Sequence, residues 1–297
     1  MTSSHRSRKG NRLKKGDLVL AEMKRLSKIG WYDKSISTSG YKYFSSADSK
    51  LRVSFPEDSW SSEVGNKEGS GPWAIFRSEL VANTLAKCNK ELLWEVGAGD
   101  GNMALPLRNS SIETICIEPQ EQGALVLSNE GFTTYRAFLI DLELPKDSIQ
   151  AFGCFDVLEH LEEPNILISE MYRTLIPGGL LLITVPAHQW LYSHFDKSIG
   201  HYRRYSKKSL LMELDGFEIY EIRYIFPSLV LPALLLRRLT YLISRQKGHN
   251  QREASARQMS MMKKVSPAIL KLFRLENRIR TPFGLSIYCV ARKPFKK

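Results

Sequence analysis

Cysteine is scarce and scattered in this chain. Cys88, Cys116, Cys154 and Cys289 stand far apart with no C-x-x-C pair, which argues against a zinc ribbon or a disulfide framework and for reduced thiols in a cytosolic setting. Long apolar runs are missing too. The longest uncharged apolar-rich stretch, 224–236, is broken by Pro227 and Pro232 and ends at Arg237-Arg238. A bilayer span needs roughly 20 apolar residues, so no transmembrane helix is expected. The opening MTSSHRSRKGNRLKKG has no apolar core, so no signal peptide is expected either. There is no internal repeat.

What is present fits an ordinary globular chain. Its 297 residues are 43% hydrophobic and 25% charged, enough for one large α/β domain with additions. The net charge of +12 is unevenly spread. Residues 1–15 carry six Lys/Arg and no acid, and residues 227–297 carry sixteen Lys/Arg and two acids, while the body between them is net acidic. That distribution suits an anionic partner at the extremities, such as a membrane surface, or a solvated basic surface. It does not suit a nucleic-acid groove, so no nucleic-acid partner is expected.

Short apolar runs at 92–96, 114–118, 133–138, 149–155 and 179–186 read as buried strands, joined by 217–226 and 285–293. Helical patterns occupy 16–28, 71–88, 102–109, 120–129, 163–175 and 206–214, the second opening on Pro72. Alternating strands and helices imply a mostly parallel sheet covered on both faces. Residues 31–70, rich in Ser, Gly, Tyr and Trp, show no period and read as irregular. Residues 227–284 read as two or three inserted helices before the last strand. Four segments follow: a basic tail and extension (1–71), a core (72–226), a basic and apolar helical insertion (227–284), and a closing strand with a basic end (285–297).

The chemistry concentrates where the first long strand ends. In LLWEVGAGDGN, residues 92–102, Gly97, Gly99 and Gly101 follow Glu95. Glycines after a strand let the backbone bend sharply and lie against a ligand. A second acid, Glu118, ends the next strand, where it can take ribose hydroxyls. That logic serves NAD and S-adenosylmethionine (SAM) equally.

The order of EVGAGDG, CFDVLEHLEEP (154–164) and RTLIPGGLLLITVP (173–186) resembles the class I SAM-dependent methyltransferases. The likeness covers about residues 72–226 and 285–293. It implies a Rossmann-like fold with a mostly parallel seven-stranded sheet, helices on both faces, and SAM as cofactor. By the same resemblance Gly97, Gly99 and Gly101 lie beside the methionine part of SAM, and Glu95 helps hold its amino end. Glu118 then bonds the ribose, Asp141 contacts the adenine amino group, and Phe155 and Asp156 lie near the sulfonium.

His160, in DVLEHL, is the best single candidate for a general base, because an imidazole accepts protons near neutral pH. DVLEH also resembles the acid-x-x-acid-His of ubiquinone-biosynthesis O-methyltransferases, which implies that Asp156, Glu159 and His160 could hold a divalent ion, but adjacent ligands face different ways, and no metal site is expected. The densest stretch is HQWLYSHFDKSIGHYRRYSKKSL, 188–210. It resembles a bacterial methyltransferase subfamily with the pattern W-S-x-x-D-x-x-x-G-H-x-R-R-Y, associated with surface-glycan and lipid-linked assembly loci. Tyr192-Ser193 replaces Trp-Ser here; Asp196, Gly200, His201, Arg203, Arg204 and Tyr205 match. We expect His201 as a second catalytic residue and Asp196, Arg203, Arg204 and Tyr205 at the acceptor, the arginines suiting a phosphate or carboxylate.

The expected activity is methyl transfer from SAM to an O or N nucleophile of a small or lipid-linked, glycan-related, anionic acceptor. The expected location is cytoplasmic or peripheral at the inner membrane face. A non-catalytic SAM-binding regulator and a membrane-peripheral scaffold of a glycan-assembly complex are the alternatives.

Overall fold

The computed structural model describes residues 17–29, 36–38, 41–43, 71–247 and 268–295. The basic tail, most of the extension up to residue 70 and the centre of the insertion lie outside them. Along the chain α1 (Asp17–Lys28) precedes a hairpin of β1 (Ile36–Thr38) and β2 (Tyr41–Tyr43). Then come α2 (Pro72–Lys87), β3 (Leu92–Val96), α3 (Ala104–Asn109), β4 (Glu113–Ile117), α4 (Glu121–Asn129) and β5 (Thr133–Arg136). The second half holds β6 (Ile149–Phe155), α5 (Pro164–Thr174), β7 (Leu175–Pro186), α6 (His194–Ser198) and α7 (Lys207–Glu213). It closes with β8 (Glu218–Ile225), α8 (Val230–Lys247), α9 (Ala268–Glu276) and β9 (Ser286–Arg292).

One sheet joins the strands in the order β1-β2-β5-β4-β3-β6-β7-β9-β8. The long strands from β3 to β7 run parallel, while β9 is antiparallel to both β7 and β8. This is the expected Rossmann-like arrangement of seven strands. The hairpin corrects the reading of 31–70 as wholly irregular: β2 pairs parallel with β5 and lengthens that edge, making nine strands among the described residues. Three-residue strands carry no period that the sequence could announce.

Alternate residues of each strand supply opposite cores, as the pleat requires. Trp94, Ile115, Ile117, Phe152, Ile183 and Ile287 face one way, with Met171 of α5 and Leu210 of α7. Leu93, Ala151, Leu182, Tyr288 and Val290 face the other, under Phe76, Val81 and Leu85 of α2 and Leu107 of α3. Burial on both faces explains why these strands read as unbroken apolar runs. Among the described residues no helix is long and apolar enough to cross a membrane.

Candidate active site

The strand order reverses between β3 and β6, and in open α/β sheets the crevice at the carboxyl ends beside that reversal receives ligands. The glycine loop leaves β3 there. Gly97, Gly99 and Gly101 all adopt positive φ, +69°, +58° and +85°. A Cβ on Gly97 would stand 2.5 Å from Val157 Cγ2, so close packing as well as backbone hand demands glycine.

Two buried acids flank the loop. Glu118 follows β4, and its carboxylate accepts 2.8 Å hydrogen bonds from the backbone N–H groups of Gly99 and Gln120. Burial pushes its pKa up to about 7 against the lowering effect of those two bonds. Glu95, one residue from the end of β3, is buried with Oε2 lacking any hydrogen-bond partner. Burial raises it to about 8; Arg77 opposes the shift, and Glu118 and Asp100 add to it.

Across the crevice, Asp156, the residue after β6, lies in the left-handed region at φ +56°. Its carboxylate pairs with Arg77 of α2 and accepts from Thr184 Oγ1 at 3.2 Å. Arg77 is itself buried and donates to Thr184 Oγ1 at 3.1 Å. Phe155 is buried beneath this turn. Asp141 lies past β5 in a short 3-10 turn, half-buried, with Oδ2 accepting from Phe138 N–H at 3.2 Å.

The loop after β7 is a closed frame. Its two ends meet where His188 N–H donates to Tyr205 O and Tyr205 N–H to Pro186 O, each at 2.8 Å. At its centre sits Asp196, wholly buried. Its Oδ2 accepts from Ser193 N–H at 2.8 Å, its Oδ1 from Arg204 Nε at 2.7 Å, and Arg237 of α8 stands 3.7 Å away. Burial alone would raise this carboxyl, but His201, Arg204 and Arg237 outweigh it and hold it well below the usual carboxylate range.

The acceptor set expected from the sequence therefore divides. Asp196, Arg204 and Tyr205 are buried, and their polar groups are engaged within the frame: Arg204 also donates to Ala187 O at 3.1 Å, and Tyr205 Oη to Leu158 O at 3.3 Å. Their bonds tie the loop to itself and to the neighbouring strand. Arg203 is different. It is half-exposed, with Nη2 donating to Glu162 O at 2.7 Å.

Glu159 and His160, in a 3-10 turn just beyond Asp156, meet His201 from the loop. The imidazoles of His160 and His201 pack edge to face at 4.6 Å. His201 Nε2 is 3.8 Å from Glu159 Oε1, and its Nδ1 faces Asp196 Oδ1 at 3.3 Å. Burial, then the neighbouring His201, depresses the pKa of His160 to about 3, partly offset by the contact with Gly200 O. A base that weak accepts a proton poorly at neutral pH, which counts against His160 as the general base expected from the sequence. Asp156 does not join this group; Arg77 holds it.

Residues 76–222 match a family model described as a methyltransferase domain. The chain is also 29% identical over 157 residues to a "Probable S-adenosylmethionine-dependent methyltransferase" of Mycolicibacterium smegmatis, covering 50% of this chain and 61% of that protein. The match thus spans less than two thirds of that relative's length. Among solved structures, a SAM-dependent methyltransferase from Archaeoglobus fulgidus is 18% identical with a TM-score of 0.46, over 73% of this chain and 96% of that one. The cyclase SpnF is 19% identical with a TM-score of 0.49, over 84% and 89%. These two likenesses say nothing of the reaction. The resemblance to SAM-dependent methyltransferases, with the cofactor it implies, is borne out; its narrower link to glycan-assembly loci is not shown.

Within the matched residues, sequence reasoning missed Arg77. A signal existed: Arg77 shares the inward face of α2 with Leu80, Val81 and Leu85, so a charged residue stood among apolar ones. The meeting of Glu159 with His201 had no such signal, because it depends on the path of the 187–205 loop.

Proposed function

We propose that this chain transfers a methyl group from SAM to an O or N nucleophile on a small, anionic or lipid-linked acceptor. The observation that carries the reading is Glu95, a buried carboxylate with an oxygen lacking any partner beside a glycine loop at the switch point. A cationic amino group would satisfy it, and the methionine end of SAM supplies one. Glu118 fits the ribose, since each oxygen spends one lone pair on a backbone N–H and retains another for a hydroxyl. Gly97, Gly99 and Gly101 leave room for the chain between, with Asp141 toward the adenine and Phe155 and Asp156 toward the sulfonium.

Bound SAM supplies an electrophilic methyl; the protein must align the nucleophile and give its proton somewhere to go. His201, with Asp196 behind it, is the group we assign to that end of the crevice, with Arg203 on the acceptor's anionic group. The exposed Leu231 and Leu235 of α8 and Leu272, Leu275 and Ile279 in and beyond α9, set among Lys and Arg, support a peripheral contact with an anionic membrane face.

Thermal shift tests the cofactor. SAM and S-adenosylhomocysteine should raise the melting temperature while NAD and NADP do not, since ligand binding stabilises the native state by mass action. Stabilisation by NAD alone would overturn the proposal. Gly99→Val should abolish the SAM effect in a folded protein, and Glu118→Ala should weaken binding by about 1.5–3 kcal/mol, the range for hydrogen bonds to charged groups. Methyl transfer from labelled SAM into cell extract separates an enzyme from a regulator that only binds.

A further inference from the structure

Trp190 is 62% exposed, a costly place for the largest apolar ring a chain can carry. It stands in the 3-10 turn Gln189–Leu191, just beyond β7. The next residue, Leu191, is buried in the cluster that holds Val230 at the start of α8, and its carbonyl accepts a hydrogen bond from Arg237 of that helix. Turn and helix are thus joined. They also leave the sheet on one side. β7 and β8 are each antiparallel to β9, hence parallel to one another, so both elements spring from the carboxyl edge where the crevice opens.

The outer surface of α8 continues the exposed ring. Leu231, Leu234, Leu235 and Arg238 fall at i, i+3, i+4 and i+7, and all four are exposed. With 3.6 residues per turn they share a stripe about 100° wide. Val230, Ala233 and Arg237 lie outside it and pack inward. Such a stripe beside an exposed indole has the make-up of an interfacial surface, because an indole is apolar in body and polar at its N–H and so favours the boundary between lipid and water.

We propose that Trp190 and the outer stripe of α8 seat together in an anionic bilayer, and that the crevice takes its methyl acceptor from that bilayer as an anionic lipid headgroup. Charge selects the occupant. Residues 227–297 carry sixteen Lys/Arg and two acids, and Arg238, Lys271 and Arg278 are exposed among them. A second copy of so basic a surface would be repelled, whereas an anionic leaflet attracts it. Arg203, half-exposed on the same loop as Trp190, is placed to meet a headgroup phosphate. The docking surface stands without the methyl-transfer reading; the headgroup as acceptor rests on it.

The test uses the full chain and vesicles of phosphatidylcholine with phosphatidylglycerol, some of their acyl chains brominated. Bromine quenches only a tryptophan that reaches the acyl region. Wild-type fluorescence should fall on binding, and Trp190→Phe should lose most of that quenching while still co-sedimenting. Trp190→Ala should weaken co-sedimentation at least about tenfold, the scale for one large apolar side chain leaving the interface, with an unchanged melting temperature because the ring is exposed. In a second arm, labelled SAM is added to cell extract that is then split into lipid and aqueous fractions, and the label should enter the lipid. Quenching absent from wild type, or undiminished in Trp190→Phe, overturns the docking surface, as does a dimer in solution that Leu231→Asp dissociates. Label confined to the aqueous fraction overturns the headgroup as acceptor while methyl transfer stands. Label in neither fraction overturns methyl transfer and the headgroup with it, and quenching still decides the docking.

Discussion

The guanidinium of Arg77, on α2, donates to the carboxylate of Asp156, the left-handed residue that follows β6. The pair ties the helix preceding the glycine loop to the opposite wall of the crevice. It also sets a positive charge near Glu95, whose pKa it lowers against the effect of burial. Arg77→Met keeps most of the volume and removes both effects. We expect SAM affinity to fall at least tenfold, about 1.4 kcal/mol, with the protein still folded. Calorimetry giving unchanged affinity would mean that α2 serves packing alone.

Glu95 and Glu118 predict a pH dependence with a definite sign. Both pKa values are raised by burial, to about 8 and about 7 from 4.5. The unfolded chain therefore binds fewer protons than the native one between these limits. Their contribution to stability is fully present below about pH 4.5 and is lost as pH rises through 7 and 8, by up to about 1.4 kcal/mol per pH unit per group. Urea unfolding between pH 5.5 and 8.5 should show this decline in the ligand-free protein, and Glu95→Gln should remove one group's share. A Glu95→Gln slope equal to wild type would show that Glu95 ionises normally.

On α8 the chain presents two unlike faces. Arg237 points inward to Asp196 and to the carbonyl of Leu191, while Leu231, Leu235 and Arg238 at i, i+4 and i+7 are exposed. On α9, Phe273 is buried and Leu272 and Leu275 face out. If these residues meet a membrane, the protein should co-sediment with vesicles containing anionic lipid, less so as salt rises. Replacing Leu231 and Leu235 together with Asp should reduce that binding. Equal indifference to neutral and anionic vesicles would leave the insertion as a cap over the sheet edge.

Much of the sheet was legible because parallel strands buried on both faces appear as largely apolar runs, and residues 180–183 of β7 are the clearest of that kind. β1 and β2 were not, since Ile36–Thr38 gains its place only by pairing with β2, and β2 by pairing with β5. The glycine loop and its two acids were legible as local patterns. Which loop residues face inward was not: Asp196 is buried because Arg204 and Arg237 converge on it, and Arg237 comes from the insertion. Two adjacent arginines look alike in a sequence and differ here in what each one touches.

Arg203 and Arg204 should accordingly fail in different ways. Arg204 is buried and bonded to Asp196, so Arg204→Ala leaves a buried carboxylate without its main partner, at a cost of about 3–5 kcal/mol. Its melting temperature should drop, and any loss of turnover should follow the loss of folded protein. Arg203 spends one hydrogen bond on Glu162 O at the surface, and Arg203→Ala should change stability by no more than about 0.5 kcal/mol. If Arg203 holds the acceptor's anionic group, that variant keeps its SAM affinity while turnover falls at least tenfold, a barrier change of about 1.4 kcal/mol. The readouts are melting temperature, SAM calorimetry and methyl transfer from labelled SAM, made on both variants side by side. Full turnover by Arg203→Ala would remove it from the acceptor site, and an unaltered melting temperature for Arg204→Ala would mean that Asp196 does not hold the loop through it.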